Sequence, residues 1–341
     1  MSVRSMQRIG AADTLALLRG ARGTVVLTTH VTPDGDAIGS ELALHRLLRR
    51  LGVSARIINT DAAPEVLRFM DVDGVLERYE ADAHDALLET AGLIVCLDFN
   101  APSRLRRMER AVSASPAPRL LIDHHLDAQP FAEHACIDTE ACSTAQIVFR
   151  LVMEAALPLD SALAVPLYVG LVTDSGSFRF ERTTPEVHRM AAVLLEAGVD
   201  PMRVHRQVYD EYPLGRSTLL GLILAGIRSE CEGRVTLLTV TRAMFEDTGS
   251  TVEDVENMVN YGLGIKGVEV TALLTELPDA IKISFRSRGL HDVNDVAARF
   301  GGGGHRLAAG ARVEGSDLAE TAARVSEALC RKVRGEEGEA S

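Results

Sequence analysis

TVVLTTHVTPDGDAIGS, residues 24–40, is the stretch from which the fold can be read. An apolar run (TVVLTT, 24–29) gives way to a short polar loop, and an apolar-periodic stretch follows over 36–51. This is strand, loop, helix. Pro33 and Gly35 open the loop, and such residues turn the backbone so that neighbouring side chains converge. His30, Asp34 and Asp36 are therefore expected close together at the end of a strand. Gly39 and Ser40, in the first helical turn, are expected to offer a close-packed backbone and free N–H groups to an anion.

The same alternation continues outward. Strands are expected at 54–60, at GLIVCLDF (92–99) and at RLLIDHH (119–125), with a helix at 64–70. Continuous apolar runs fit strands buried on both faces. Alternation with helices predicts an α/β fold, an open and mostly parallel sheet flanked by helices. In such sheets ligands bind outside the carboxyl ends of the strands. The pattern turns helical over 143–172 and again over 185–197.

Gly and Pro then punctuate 198–228, read as a connector. Beyond it, strands are expected at 234–240, 267–277 and 280–287, helices at 251–260, 291–300 and 316–333, and a Gly-rich turn at 301–304. The expected organisation is an N-terminal domain over 1–197, a connector over 198–228 and a smaller C-terminal α/β domain over 229–335. A cleft is expected between the domains. The tail 336–341 is expected to be disordered.

Composition narrows the function. Of 341 residues 46% are hydrophobic and 25% charged, as in an ordinary globular chain of two domains. The net charge of −12 speaks against a groove for long duplex DNA, which needs a basic stripe. It suits small anionic substrates. No run of 18 apolar residues indicates a membrane span, and the N-terminus lacks an apolar signal core. Five scattered cysteines without CxxC spacing predict reduced thiols in a cytoplasmic protein rather than disulfides or a thiolate zinc site.

Further donors lie at other strand ends. Asp98 closes the third expected strand, and Asp123, His124 and His125 close the fourth. Asp174 follows an apolar helix in GLVTDSGSFRF (170–180). If the strands are parallel, His30, Asp34, Asp36, Asp98, His124 and Asp174 share one edge. Four carboxylates in one place repel and raise one another's pKa values, and divalent cations relieve this. Carboxylate and imidazole without thiolate suit Mn²⁺ or Mg²⁺. Six donors are too many for one ion that keeps an open position. They suit a pair about 3.5–4 Å apart.

The set HxxPDGDxxGS, a strand-end Asp, DHH and TDSG resembles the DHH phosphoesterase superfamily. GGGGHRLAAG (301–310) resembles the DHHA1 domain that follows it in many members. Length and order of parts are similar to the NrnA-type branch, the oligoribonucleases (nanoRNases) and pAp phosphatases. The resemblance implies one cation held by His30, Asp34 and Asp98, and a second held by Asp36, Asp98, His124 and Asp174. Mn²⁺ is the expected ion, with Mg²⁺ or Co²⁺ as alternatives. Asp98 would be shared, Asp123 would orient an imidazole and His125 would contact the substrate phosphate. Gly301, Gly302, Gly303, Gly304 and His305 would form a turn whose N–H groups cradle a phosphate, and Arg286 would grip phosphate with its fork.

The implied activity is hydrolysis, by metal-activated water, of short oligoribonucleotides such as pApA and of 3′-phosphoadenosine 5′-phosphate (pAp). A cyclic di-AMP phosphodiesterase and a non-catalytic nucleotide-binding regulator remain open alternatives. An inorganic pyrophosphatase is disfavoured by GGGGH. Expected partners are short RNA and small nucleotides, with no membrane, and a homodimer is compatible with the resemblance. RLRRMER (104–110) reads as a solvated charged face or a weak contact for RNA.

Overall fold

The structure is a computed structural model that describes residues 6–210 and 212–336. Contacts divide the chain into two compact units, 1–211 and 212–341, so the unit boundary falls inside the expected connector. Within 198–228 the chain forms the helices Pro201–His205 and Leu214–Ala225 and a π-helical turn, Arg206–Asp210. The expected disordered tail lies outside the described residues apart from residue 336.

The N-terminal unit is built on seven parallel strands: β1 (Gln7–Arg8), β2 (Val25–Thr28), β3 (Ala55–Asn59), β4 (Leu76–Arg78), β5 (Leu93–Leu97), β6 (Arg119–Asp123) and β7 (His134–Ile137). Their order is β1-β7-β6-β5-β2-β3-β4, with every neighbouring pair parallel. The chain runs from β2 outward to β4 on one side, then returns to place β5 on the other side of β2. That reversal is the switch point at which a doubly wound sheet opens a crevice.

The unit's helices are α1 (Ala11–Gly20), α2 (Gly35–Arg50), α3 (Ala81–Thr90), α4 (Glu109–Ala114), α5 (Thr144–Glu154), α6 (Ser161–Asp174) and α7 (Pro185–Glu196), before the short α8 at Pro201–His205. Alternate residues of the apolar strands serve opposite faces. Val25, Leu27, Val95 and Ile122 pack with α1, α2, α5, α6 and α7. Val26, Ile94, Cys96 and Leu121 pack with Leu88 of α3, Val112 of α4 and Leu105 and Met108 between them.

α2 and α6 approach closely because both carry glycine at the crossing. A β-carbon on Gly39 would lie 2.3 Å from the Pro166 carbonyl oxygen, and one on Gly170 would lie 2.8 Å from Asp36 Oδ1. This corrects the expectation that Gly39 and Ser40 receive an anion. Gly39 is a helix-packing residue, and Ser40 Oγ faces Asp36 Oδ1 at 3.3 Å.

The C-terminal unit is a six-stranded mixed sheet: β8 (Arg228–Glu230), β9 (Val235–Val240), β10 (Val270–Glu276), β11 (Ala280–Ser287), β12 (Gly303–His305) and β13 (Ala308–Glu314), in the order β12-β13-β11-β10-β9-β8. Only β9 and β10 pair in parallel. One face carries α12 (Asn294–Ala298) and α13 (Leu318–Arg334), whose Val296 and Val325 pack with Ile283 and Phe285 of β11. The other carries α9 (Leu214–Ala225), which follows α8 and buries Leu219 and Ile223. Two smaller helices, α10 (Arg242–Thr248) and α11 (Val259–Leu263), complete the unit.

The helix expected at 251–260 is a 3-10 turn, Glu253–Val255, followed by α11, and Asn257 between them takes φ 64°. The Gly-rich turn expected at 301–304 is in part an edge strand, with Gly303, Gly304 and His305 opposite Gly310, Ala309 and Ala308. Among the described residues no helix is long and apolar enough to cross a membrane.

Candidate metal centre

The carboxyl ends of β2, β5 and β6 lie side by side, and each delivers donors to one place. His30 follows β2. Its Nδ1 meets the Val31 carbonyl at 2.8 Å, which turns Nε2 toward Asp98 Oδ2, 3.6 Å away. Asp98 follows β5, is buried and takes φ 65°. That left-handed backbone is uncommon outside glycine, and such outliers persist where the surroundings fix them. Here Asp98 N donates to Ile122 O (3.0 Å) and Thr144 Oγ1 donates to Asp98 Oδ1 (2.9 Å).

His124 follows β6. Its Nε2 lies 3.2 Å from Asp174 Oδ2, 3.6 Å from Asp98 Oδ1 and 4.0 Å from Asp36 Oδ2. Asp98 thus stands between the imidazoles of His30 and His124. Asp34 caps α2, accepting from the N–H groups of Asp36 and Ala37. Asp174 is delivered by the last residue of α6.

Asp36 has no exposed surface. Its carboxylate is gripped by the N-terminus of α5: Thr144 N donates to Oδ2 (2.6 Å) and Ala145 N to Oδ1 (2.8 Å). Free N–H groups at a helix start are suited to such a carboxylate. In the sequence Ser143 and Thr144 stand at a helix start, where capping is sufficient for both hydroxyls. Ser143 does cap α5, but Thr144 also braces both Asp36 and Asp98. The Ser-Thr start of a helix was the only signal, and it does not reveal a partner 108 residues earlier.

The donor atoms fall into overlapping groups. His30, Asp34 and Asp98 offer ligand atoms within 4.8 Å of one another, and so do Asp36, His124 and Asp174. A third such group joins Asp98, His124 and His125. Asp123 is buried and its Oδ1 accepts from the His124 N–H, the His125 N–H and His125 Nδ1, the last at 2.7 Å. It thereby fixes the ring of His125.

Electrostatics show what this arrangement calls for. Burial, then Asp98 and Asp174, push the Asp36 carboxyl well above the usual range. Burial pushes Asp174 up to about 6 despite the hydrogen bond to His124. Burial would lower His124, but Asp174, Asp98 and Asp123 outweigh it and raise the imidazole to about 9. Burial likewise opposes protonation of His30, yet Asp98 and Asp34 raise it. Asp98 is held below the usual carboxylate range because His30, His124 and His125 outweigh its burial. Clustered carboxylates that draw protons onto their neighbours call for positive charge. Nitrogen and oxygen donors without thiolate fit divalent cations.

A further acid supports the edge from behind. Glu41 of α2 is fully buried, and burial raises it to about 8 although its Oε2 accepts from Asn59 Nδ2 (2.7 Å). Asn59 Oδ1 in turn accepts from Thr29 N, next to His30 (3.0 Å). This Glu41–Asn59–Thr29 brace was not expected from the sequence.

The residues 24–171 match the DHH family, N-terminal domain, and 234–332 match the DHHA1 domain. The chain is 34% identical over 315 residues to the bifunctional oligoribonuclease and PAP phosphatase NrnA of Thermus thermophilus, covering 92% of this chain and 91% of that protein. It belongs to the DHH–DHHA1 phosphoesterase family. The protein of the same description from Bacillus subtilis is 28% identical, with 91% and 95% covered. An exopolyphosphatase-related protein from Bacteroides fragilis superposes with a TM-score of 0.89 at 32% identity, over 96% of this chain and 97% of that one.

The DHHA1 residues expected to bind substrate lie in the C-terminal unit. Arg286 is on β11, half-buried, with Nη1 donating to Phe285 O (2.9 Å). His305 is exposed on the edge strand β12. Gly301 N and Gly302 N donate to Ala298 O and Ala297 O of α12, so these two amides are committed to the helix end rather than presented to a phosphate. Gly304, at φ 151°, adopts a backbone that only glycine takes readily.

Proposed function

We propose that this phosphoesterase uses two divalent cations, Mn²⁺ by preference, to hydrolyse short oligoribonucleotides and pAp in the cytoplasm. The observation that carries the reading is the convergence of His30, Asp34 and Asp98 with Asp36, His124 and Asp174 at one sheet edge. The names borne by the Thermus and Bacillus relatives support the substrate class. His30, Asp34 and Asp98 would hold one cation, and Asp36, Asp98, His124 and Asp174 the other. When bound, the cations acidify water near neutral pH and neutralise charge on the phosphate oxygens.

The chain's own residues do the rest. Thr144 and Ala145 hold Asp36 and Asp98 in place. Asp123 aligns the His125 ring, whose Nε2 is assigned to a non-bridging phosphate oxygen. Water adds to phosphorus, the bond from phosphorus to the leaving oxygen breaks, and that oxygen takes up a proton and departs as a hydroxyl. Arg286, Gly303, Gly304 and His305 would grip the part of the substrate that does not react. Gly301 and Gly302 would shape the approach to that strand.

The test is a Mn²⁺-dependent assay comparing kcat/KM for pApA, a five-nucleotide RNA, pAp and cyclic di-AMP. Cleavage of the short RNA and pAp, lost on chelation and restored by Mn²⁺, is expected. A best rate on cyclic di-AMP would move the protein to second-messenger turnover. Binding without turnover of any of the four would make it a regulator.

A further inference from the structure

The chain that follows Asp98 has no role in the site described so far. Residues 102–108, PSRLRRM, form a 3-10 stretch in which Arg106 takes φ 47° and ψ −115°. The stretch is tied to the catalytic edge through two carbonyls and one side chain. Val31 N donates to Arg104 O (2.9 Å), Thr60 Oγ1 donates to Leu105 O (2.6 Å), and Arg107 Nη2 donates to Thr60 O (2.6 Å). Leu105 and Met108 are buried beneath it, and Thr28 Oγ1 reaches Met108 Sδ at 3.9 Å. A strained backbone held from several sides is common where a side chain must be aimed. RLRRMER is therefore more than a solvated charged face.

Two residues before the strained Arg106, Arg104 is anchored beside the donors through its own carbonyl. Val31, which binds its carbonyl, is the neighbour of His30. Arg104 is an exposed residue, yet its surroundings are dense enough that burial lowers its pKa, against the opposing pull of Asp98 and Asp34. It acts in turn on His30, lowering that imidazole. Among the described residues, however, the Arg104 side chain forms no ion pair and no hydrogen bond. Nearby, Arg107 is committed to Thr60 O, whereas Arg104 adjoins the donors through the Val31 contact. Arg104 remains charged throughout the working pH range, so a cation with an uncommitted fork stands beside the acidic centre.

Charge balance says what it is for. Asp34, Asp36, Asp98 and Asp174 together carry about the charge that two divalent cations cancel. A phosphate ester entering the centre then brings negative charge that the cations and their ligands leave unopposed. A guanidinium fork matches two oxygens of a tetrahedral phosphate. We propose that Arg104 is a catalytic residue of the N-terminal unit that binds the non-bridging oxygens of the scissile phosphate and stabilises their charge as the bond to the leaving group breaks. The proposal rests on the two-cation reading above and adds to it a residue that holds no metal.

The test uses the full chain loaded with Mn²⁺ and the variants Arg104→Ala and Arg104→Lys. Three quantities are measured: kcat and KM on pApA and pAp, the affinity for inorganic phosphate by titration calorimetry, and the affinity for Mn²⁺. Removing one preorganised donor to a transition-state oxyanion costs about a hundredfold or more. Arg104→Ala is expected to lose about that factor in kcat/KM on both substrates and at least about tenfold in phosphate affinity. Mn²⁺ affinity should hold or rise, because a nearby positive charge is gone. Arg104→Lys should recover part of the loss, and added guanidinium ion should partly rescue Arg104→Ala. Should the alanine variant fail to fold, Arg104→Gln keeps the stem and carries the same comparison.

A kcat/KM within threefold of the parent, with unchanged phosphate affinity, overturns the proposal. So does a loss explained by weaker Mn²⁺ binding, which would make Arg104 a structural support of the centre. If the parent cleaves none of the substrates, the proposed function fails, and the phosphate titration still decides the role of Arg104.

Discussion

The two units handle polar residues in opposite ways. In the N-terminal unit Asp36, Asp98 and Asp123 are buried at the carboxyl edge of a parallel sheet, and each is held by at least one hydrogen bond from a distant or adjacent element. In the C-terminal unit the residues assigned to substrate are more open, and the edge strand Gly303–His305 is exposed along its length. Burying charge is costly unless it is compensated. On the proposed function the first unit would accept that cost because a reaction centre must be rigid and pre-aligned. The second presents surface, because binding needs access more than alignment. The expected consequence is a division of labour, with turnover governed by one unit and affinity by the other.

The sharpest way to break that comparison is to exchange the effects. Asp98→Ala is expected to abolish hydrolysis and weaken the binding of both cations, since Asp98 stands between the two imidazoles. Near-normal turnover would refute the shared-carboxylate assignment. Arg286→Ala, in contrast, is expected to raise KM by about 10–100-fold, the loss of a charged hydrogen bond to phosphate, with little change in kcat. A fall in kcat with KM unchanged would place Arg286 among the reacting groups and end the division.

Thr144→Val sharpens the comparison inside the first unit. It keeps the backbone N–H that holds Asp36 but removes the hydroxyl on Asp98. A drop of about tenfold in kcat is expected, from a hydrogen bond to a charged group worth about 1.5–3 kcal/mol. Substrate affinity should stay within about twofold.

The smallest effect concerns stability rather than rate. Glu41 is raised to about 8 by burial, against an ordinary value of 4.5. Between those values the folded metal-free protein holds a proton that the unfolded chain has lost. Stability is therefore expected to fall as pH rises through this range, by about 1.4 kcal/mol per pH unit, and to level off above it. Glu41→Gln should flatten the slope. Chemical denaturation of both proteins in excess chelator at pH 5.5 and 7.5 measures it, and parallel slopes would show that Glu41 ionises freely in the folded state.

Much of this molecule was legible in advance for reasons that can be named. VVLT, LIVCL and the LLI of RLLID are short apolar runs bounded by loops, the pattern that fits strands buried on both faces. Because such strands are parallel, residues that close them gather at one edge, so His30, Asp98 and His124 could be placed together from spacing alone. The short strands Gln7–Arg8, Leu76–Arg78, Arg228–Glu230 and Gly303–His305 were not legible. At two or three residues they have no periodicity, and they exist only because a neighbour supplies hydrogen-bond partners. Gly39 was misread for a related reason. A glycine near a helix start looks the same whether it faces an anion or another helix, and the Pro166 carbonyl that decides the matter comes from a distant helix.

The sequence by itself determined which donors exist, their chemical type without thiolate, and the strand ends that carry them, because these follow from local pattern and side-chain chemistry. Only the tertiary structure decided that Asp98 adopts a left-handed backbone between two imidazoles, that the start of α5 clamps Asp36, and that Arg104 is anchored through its carbonyl to the neighbour of His30. Those facts depend on contacts between segments far apart in the chain. Such contacts form only when burial of the whole core forces polar groups to find their partners.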